Sequence, residues 1–260
     1  MLSSSQGISK ILVTGKRPGQ NIERENEEDL LIYTKEGFQV PVSLKLCKKD
    51  AFVNTKSGGI RTFVSKYFSS FEGAKDAQKR VIETLEMSFV KTQHRFYAWA
   101  DLPWEEDEGV KTQFSPQWEE VGLPTLPGEL EEEPRSWLLD HYHTVITALY
   151  DELYSFYQED KDKFLNCLGP IVGLGHENLI QVTCFYDHKK EERYQLQRIK
   201  VFSHSDLLKE TEEVDFPPAK EKISSFVLRF PHHDLQIRVK PMNKFTVCAL
   251  KVNCSLKERR

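Results

Sequence analysis

The chain lacks the features that would assign it to several broad classes at once. No apolar run in its 260 residues is long enough to cross a bilayer. Met1 to Gly7 has no basic stretch followed by an apolar one, so no secretory leader is expected. Cysteine is scarce: Cys47, Cys167, Cys184, Cys248 and Cys254 are odd in number and scattered, with no C-x-x-C pair. A disulfide framework or zinc ribbon is therefore not expected, and a reducing, cytoplasmic setting is the default. There is no Walker A sequence, no H-x-x-x-H and no G-x-S-x-G. No internal repeat is found.

Apolar residues supply 39% of the chain and aromatic residues 11%, enough for a folded core through most of its length. The net charge of −4 first argues against a nucleic-acid partner, but its distribution reverses that reading. Residues 101 to 133 carry eleven acids and a single base, Lys111. The rest of the chain holds 35 bases against 29 acids. A basic body with one acidic insert is compatible with DNA.

The pattern predicts a single mixed α/β domain over 1–260, with a proline-containing acidic insert at about 101–134. Ile8 to Thr14 reads as a strand. Gly15 to Gly19 reads as a loop, and Asn21 to Glu28 as a charged lead-in. Two helices are expected, one through Ile60, Phe63, Val64, Tyr67 and Phe68 and one from Glu72 to His94. Pro116, Pro124, Pro127 and Pro134 exclude a long helix through the insert, which reads as irregular and largely solvated. Arg135 to Gln158 places Leu138, Tyr142, Val145, Leu149, Leu153 and Phe156 on one helical stripe. A short helix is expected at Asp162 to Leu168, closed by Gly169-Pro170. Strands are expected at Leu179 to Tyr186, Ile199 to Ser203, Phe226 to Phe230, Leu235 to Lys240 and Thr246 to Asn253.

One hairpin stands out. Asp29 to Thr34 and Phe38 to Leu46 are two apolar arms around Lys35-Glu36-Gly37, with glycine at the position that asks for a left-handed backbone. Pairing Thr34 with Phe38 sets Asp29 opposite Ser43. Alternation then puts Asp29, Ser43 and Lys45 on one face and Val42, Leu44 and Leu46 on the other. A carboxylate and a lysine converging in this way can hold a divalent metal and activate water for phosphodiester cleavage.

Asp29 with Ser43-Leu44-Lys45 resembles the active-site hairpin of the P-D-(D/E)-x-K nuclease superfamily, which includes most type II restriction endonucleases. The resemblance implies a central mixed sheet with flanking helices, a Mg²⁺ cofactor and hydrolysis of double-stranded DNA at a specific sequence. It implies that Asp29 is a metal ligand, that the Leu44 carbonyl is another, and that Lys45 polarises the attacking water. Ser43 stands in the acid slot, where the motif has a carboxylate, and Glu28 stands where the motif has proline. Glu27, on the face of Asp29, is the candidate for the further acid, and Glu25 follows it.

Beyond the hairpin, Lys48, Lys49, Asn54, Lys56 and Arg61 lie in a polar, glycine-containing stretch suited to a DNA approach. Near the C-terminus two strands joined by Pro241 to Lys244 resemble the closing pair of several small restriction endonucleases. Arg238, Lys240, Asn243 and Lys244 would line the opposite wall, with arginine and lysine suited to guanine edges or phosphates and asparagine to adenine. A homodimer would suit a palindromic target. His141 and His143 are two residues apart on a helix and make poor co-ligands. His232-His233-Asp234 reads as a polar turn, and Cys47 shares the face of Lys45. Two other functions fit the same residues: a nuclease-like fold that binds nucleic acid without cutting, and an interaction module built on the acidic insert.

Overall fold

The computed structural model describes residues 7–14, 28–49, 51–104, 112–187, 195–210 and 214–259. Glu25, Glu27, the Gly15 to Gly19 loop and the Glu105 to Lys111 acids lie outside them. The elements run β1 (Ile8–Val13), β2 (Leu30–Thr34), β3 (Gln39–Lys48), β4 (Val53–Gly59), α1 (Ile60–Tyr67), α2 (Ala74–Trp99), α3 (Pro116–Glu120), α4 (Glu132–Glu159), α5 (Lys161–Asn166), α6 (Leu168–Ile171), β5 (Ile180–Asp187), β6 (Gln195–Phe202), α7 (His204–Glu210), β7 (Ser225–Arg229), β8 (His233–Pro241) and β9 (Leu250–Glu258). The class is mixed α and β, as the sequence predicts.

The strands form two sheets where one central sheet is expected. The first has the order β1-β2-β3-β5-β6 and is mixed: β1, β2 and β3 are antiparallel neighbours, β5 lies parallel to β3, and β6 is antiparallel to β5. The second, β4-β9-β8-β7, is wholly antiparallel. Helices α1 and α4 pack on this second sheet, and α2 packs on them both. The helical layer therefore covers the sheet that does not carry the Asp29 hairpin.

Alternation explains the second sheet. Leu235, Ile237 and Val239 of β8, and Leu250, Val252, Cys254 and Leu256 of β9, face the helices and are buried. Along α2, Ala74, Ala77, Val81, Leu85, Phe89 and Phe96 fall on one helical face, buried where α2 packs on α1 and α4, and the predicted stripe of α4 is buried throughout. Each such side chain contributes about 1.5–3 kcal/mol of transfer free energy. Gln78 is one of the polar side chains buried in this core, and it is paired at both ends. Its Nε2 donates to the Ile60 carbonyl at 2.8 Å, and its Oε1 accepts from the Val64 amide at 2.8 Å. It ties the first turn of α1 to α2.

Three expectations change. The polar stretch after Lys49 is a strand: β4 pairs with β9, in register from Ser57 opposite Asn253 to Gly59 opposite Lys251. Its lysine and glycines give no strand signal, but partnering by a distant strand outweighs local propensity. Gly169 and Pro170 lie inside α6, and the chain turns at Gly173, with φ +90. The last strand begins at Leu250 and runs to Glu258, because residues 245 to 249 are engaged in pinning the insert.

The insert, where described, keeps most of its residues exposed, as expected, but it is pinned to the body by a few buried side chains and backbone bonds. The Phe114 amide donates to the Thr246 carbonyl at 2.8 Å, and the Phe245 amide donates to the Thr125 carbonyl at 3.0 Å. Phe114, Trp118 and Leu130 are buried. Trp118 stacks edge-on against Phe114 and Phe96, and its indole N–H donates to the Pro124 carbonyl at 2.8 Å. The acids of this segment face water while its aromatic residues join the core. Trp118→Ala should lower the unfolding free energy by about 3–5 kcal/mol in a denaturant titration.

Candidate functional site

The hairpin forms with the expected register. Leu30 pairs with Val42, Leu31 with Pro41, Ile32 with Val40 and Tyr33 with Gln39. Gly37 has φ +87, and the Thr34 amide donates to the Phe38 carbonyl at 2.9 Å, closing the turn. Continuation of this register sets Asp29 beside Ser43.

There the backbone ladder stops and the Asp29 side chain takes over. Its Oδ2 accepts from the Leu44 amide at 2.7 Å and, more loosely, from the Ser43 hydroxyl at 3.4 Å. The carboxylate thus satisfies an amide that β2 no longer reaches. A charge-assisted bond of this kind is among the stronger ones. In an antiparallel pair the N–H and C=O of one residue leave on the same edge. The Leu44 carbonyl therefore opens on the edge that Asp29 occupies. Asp29 Oδ1 has no hydrogen-bond partner among the described residues.

Lys45 is half-buried on the same face as Ser43, with no acidic partner among the described residues. On its far side β3 is held by β5, Ser43 opposite Gln181 and Lys45 opposite Thr183. Lys200 continues that row on β6. Gln181 is 2% exposed, and its Oε1 has no hydrogen-bond partner among the described residues. A Cβ on Gly173 would stand 2.5 Å from that oxygen, so glycine leaves the room it occupies. Gln181, Thr183 and Lys200 also line a cleft of about 300 Å³ with Glu210, His233 and Glu258. The acids of the cleft are already engaged: Glu210 by the His232 amide and by His233 Nδ1, both at 2.9 Å, and Glu258 by Arg198 and Lys200.

The opposite face of the hairpin is apolar, as alternation requires, but only Val42 is buried. Leu44 and Leu46 are exposed. Cys47 lies on the Lys45 face but is no nucleophile: burial raises its pKa, and its Sγ contacts the Lys48 and Ala51 carbonyls. Among the described residues no group of three or more His, Cys, Asp or Glu side chains is placed to hold a metal ion.

The expected DNA contacts do not form two facing walls. Asn54 and Lys56 lie on β4, in the same sheet as Arg238 and Lys240. Arg61 is committed to Glu86 at 2.7 Å, and Lys244 to Glu119 at 2.7 and 2.8 Å. Lys48, Lys49 and Asn243 are exposed. Arg238 and Lys240 do share one face, and the sequence reading missed two neighbours there. Lys251 lies directly opposite Lys240, and Asn253 lies opposite Arg238. Burial together with the charges of Lys251 and Arg238 lowers the Lys240 pKa. The alternation Lys251-x-Asn253, matched to Arg238-x-Lys240 across a hairpin, was the available signal. His141 is buried against Ser88, at 2.9 Å, while His143 contacts the Ile223 carbonyl, so the two do not form one site.

Neither a protein-family model, nor a curated protein, nor a solved structure matches the chain.

Asp29 has a structural role separable from any chemistry. Asp29→Ala should cost about 1–2 kcal/mol in denaturant and speed hydrogen exchange at the Leu44 amide. Asp29→Asn, which keeps an acceptor oxygen, should retain most of that stability. A second outcome follows from His141, whose pKa burial lowers to about 4. The unfolded histidine takes its proton near pH 6.5, so between these values the unfolded chain binds more protons. Stability should therefore fall by about 3 kcal/mol as pH drops from 6.5 toward 4. His141→Gln should flatten that part of a stability–pH profile.

Proposed function

We propose that the chain is a Mg²⁺-dependent endonuclease of double-stranded DNA, acting at the face shared by Asp29, Ser43 and Lys45. The observation that carries this reading is the pairing at the end of β2. Among the described residues, a carboxylate with one unpaired oxygen and a lysine with no acidic partner sit two residues apart in register on adjacent strands. The donor set suits a hard cation that keeps most of its water: Asp29 Oδ1, the Leu44 carbonyl and the Ser43 hydroxyl are all oxygens, and a substrate phosphate supplies more. Such an ion, when bound, lowers the pKa of water and stabilises charge on the phosphoryl oxygens.

The residues of the chain supply the rest. Asp29 keeps its Oδ2 on the Leu44 amide and is thereby fixed in direction, which leaves Oδ1 to face the ligand. Lys45 donates to the attacking water or to the phosphate and offsets developing negative charge. Glu27, two residues before Asp29 in sequence, is the candidate for the further acid. The basic strip of Arg238, Lys240 and Lys251, with Asn253 beside it, takes phosphates, and its like charges relax when an anion arrives. Sequence specificity and the type II restriction role go with the hairpin resemblance.

Duplex DNA incubated with the protein and Mg²⁺ should yield discrete fragments, and chelation should stop this. Lys45→Ala should reduce the rate by about 100-fold or more while leaving the far-UV circular dichroism unchanged. Cleavage by that variant at the parental rate would remove the proposal. Lys251→Ala should weaken binding to all duplex sequences alike and lower the slope of affinity against salt by about one ion.

A further inference from the structure

The first sheet is inverted relative to a normal half-buried sheet. Its polar side, with Ser43, Lys45, Gln181 and Thr183, turns toward the second sheet, while its apolar side turns outward. The paired rows read Val13, Leu30, Val42 and Ile180, then Leu44, Val182 and Val201, then Leu46, Cys184 and Ile199. No charged side chain enters these three rows; Lys48 follows Leu46 at the edge of the same face, and Val42 alone among them is buried. Val13, Leu44, Leu46, Ile199 and Val201 are between 41 and 73% exposed. A contiguous apolar face of this extent on a lone chain marks an interaction surface.

We infer that this face is covered by the same face of a second copy of the chain. The undescribed segments that join strands of this sheet are the wrong chemistry for the task, and residues 1–6 add only Met1 and Leu2. Residues 15–27 and 188–194 are dominated by charged and polar side chains, and Ile22 is the single aliphatic among them. Nucleic acid is equally unsuited, since the rows offer neither charge nor hydrogen-bond donors to a phosphate.

A second copy fits by size and symmetry. Five strands about 4.8 Å apart and about six residues long make a plan of roughly 500 Å². Side-chain relief raises this toward the roughly 800 Å² per partner of a standard interface. A two-fold contact requires one patch to complement itself, and these apolar rows do so with a single cation, Lys48, at their edge. Two such faces stack about 10 Å apart with strands inclined by about 30°.

Sedimentation equilibrium on the full chain at tens of micromolar should give a dimer. Leu46→Glu combined with Val201→Glu should give a monomer of unchanged helical content, whereas Arg238→Glu, on the other sheet, should stay dimeric. Cys184 provides a readout in the unaltered protein. It is a free thiol on the proposed contact, so its maleimide labelling, mapped by mass spectrometry, should slow at least tenfold as the chain is concentrated through the dimerisation range. A parental chain that stays monomeric at 100 μM overturns the proposal and leaves the face to a different protein. A dimer in which Cys184 labels as fast as in the dilute chain, or which survives the paired glutamates, overturns it too.

Discussion

Every strand has two edges, and each amide along them needs an acceptor. At β3 this requirement organises the candidate site. Its first edge is served by β2 as far as Leu30, and then the chain of β2 departs. The Leu44 amide is left to the Asp29 carboxylate at 2.7 Å. Its second edge is taken by β5, running parallel from Ile180 to Tyr186. These two solutions fix Asp29, Ser43 and Lys45 relative to one another. The side chain that ends a ladder is also the one that faces a prospective ligand.

The two sheets divide the work of the molecule differently. The second obeys the ordinary rule, with helices on its apolar side and a polar, basic side in water. The first departs from it, with polar rows inward and aliphatic rows outward. Inward polarity has a cost that is met by pairing, as in Glu258 with Arg198 and Lys200, and Glu210 with His233. Gln181 Oε1 is the member of that layer left without a partner, and it sits beside Ser43.

What could be read from the sequence was what depends on near neighbours. The hairpin register follows from Gly37 and from alternation, and both hold. The stripes of α2 and α4 repeat within a few residues and are equally legible. What depends on distant partners was not legible. β4 reads only as a polar, glycine-containing stretch until β9, nearly two hundred residues later, supplies its pairing. Trp118 and Phe114 were visible as residues, but their burial follows from Phe245 and Thr246 arriving from the far end. Arg61 and Lys244 read as free cations because Glu86 and Glu119 lie elsewhere in the chain. Position 43 is a further kind of case. Its hydroxyl is plain in the sequence, but its burial beside Gln181, which in turn crowds against Gly173, is a matter of packing alone.

The parallel partner of β3 also bears on how the chain acquires its shape. The β1-β2-β3 meander is local and can close within microseconds of its synthesis. The edge of β3 that β5 will occupy must wait for about 130 further residues. During that interval the nascent chain displays an open strand edge flanked by Leu44 and Leu46. Pairing over such a separation is slow, because loop closure comes before any stabilising contact. The order of events is thus written into the topology: the carboxylate and the lysine meet early, and the strand that makes their meeting rigid comes late. A ribosome that stalls between residues 50 and 180 would hold this chain at its most aggregation-prone point.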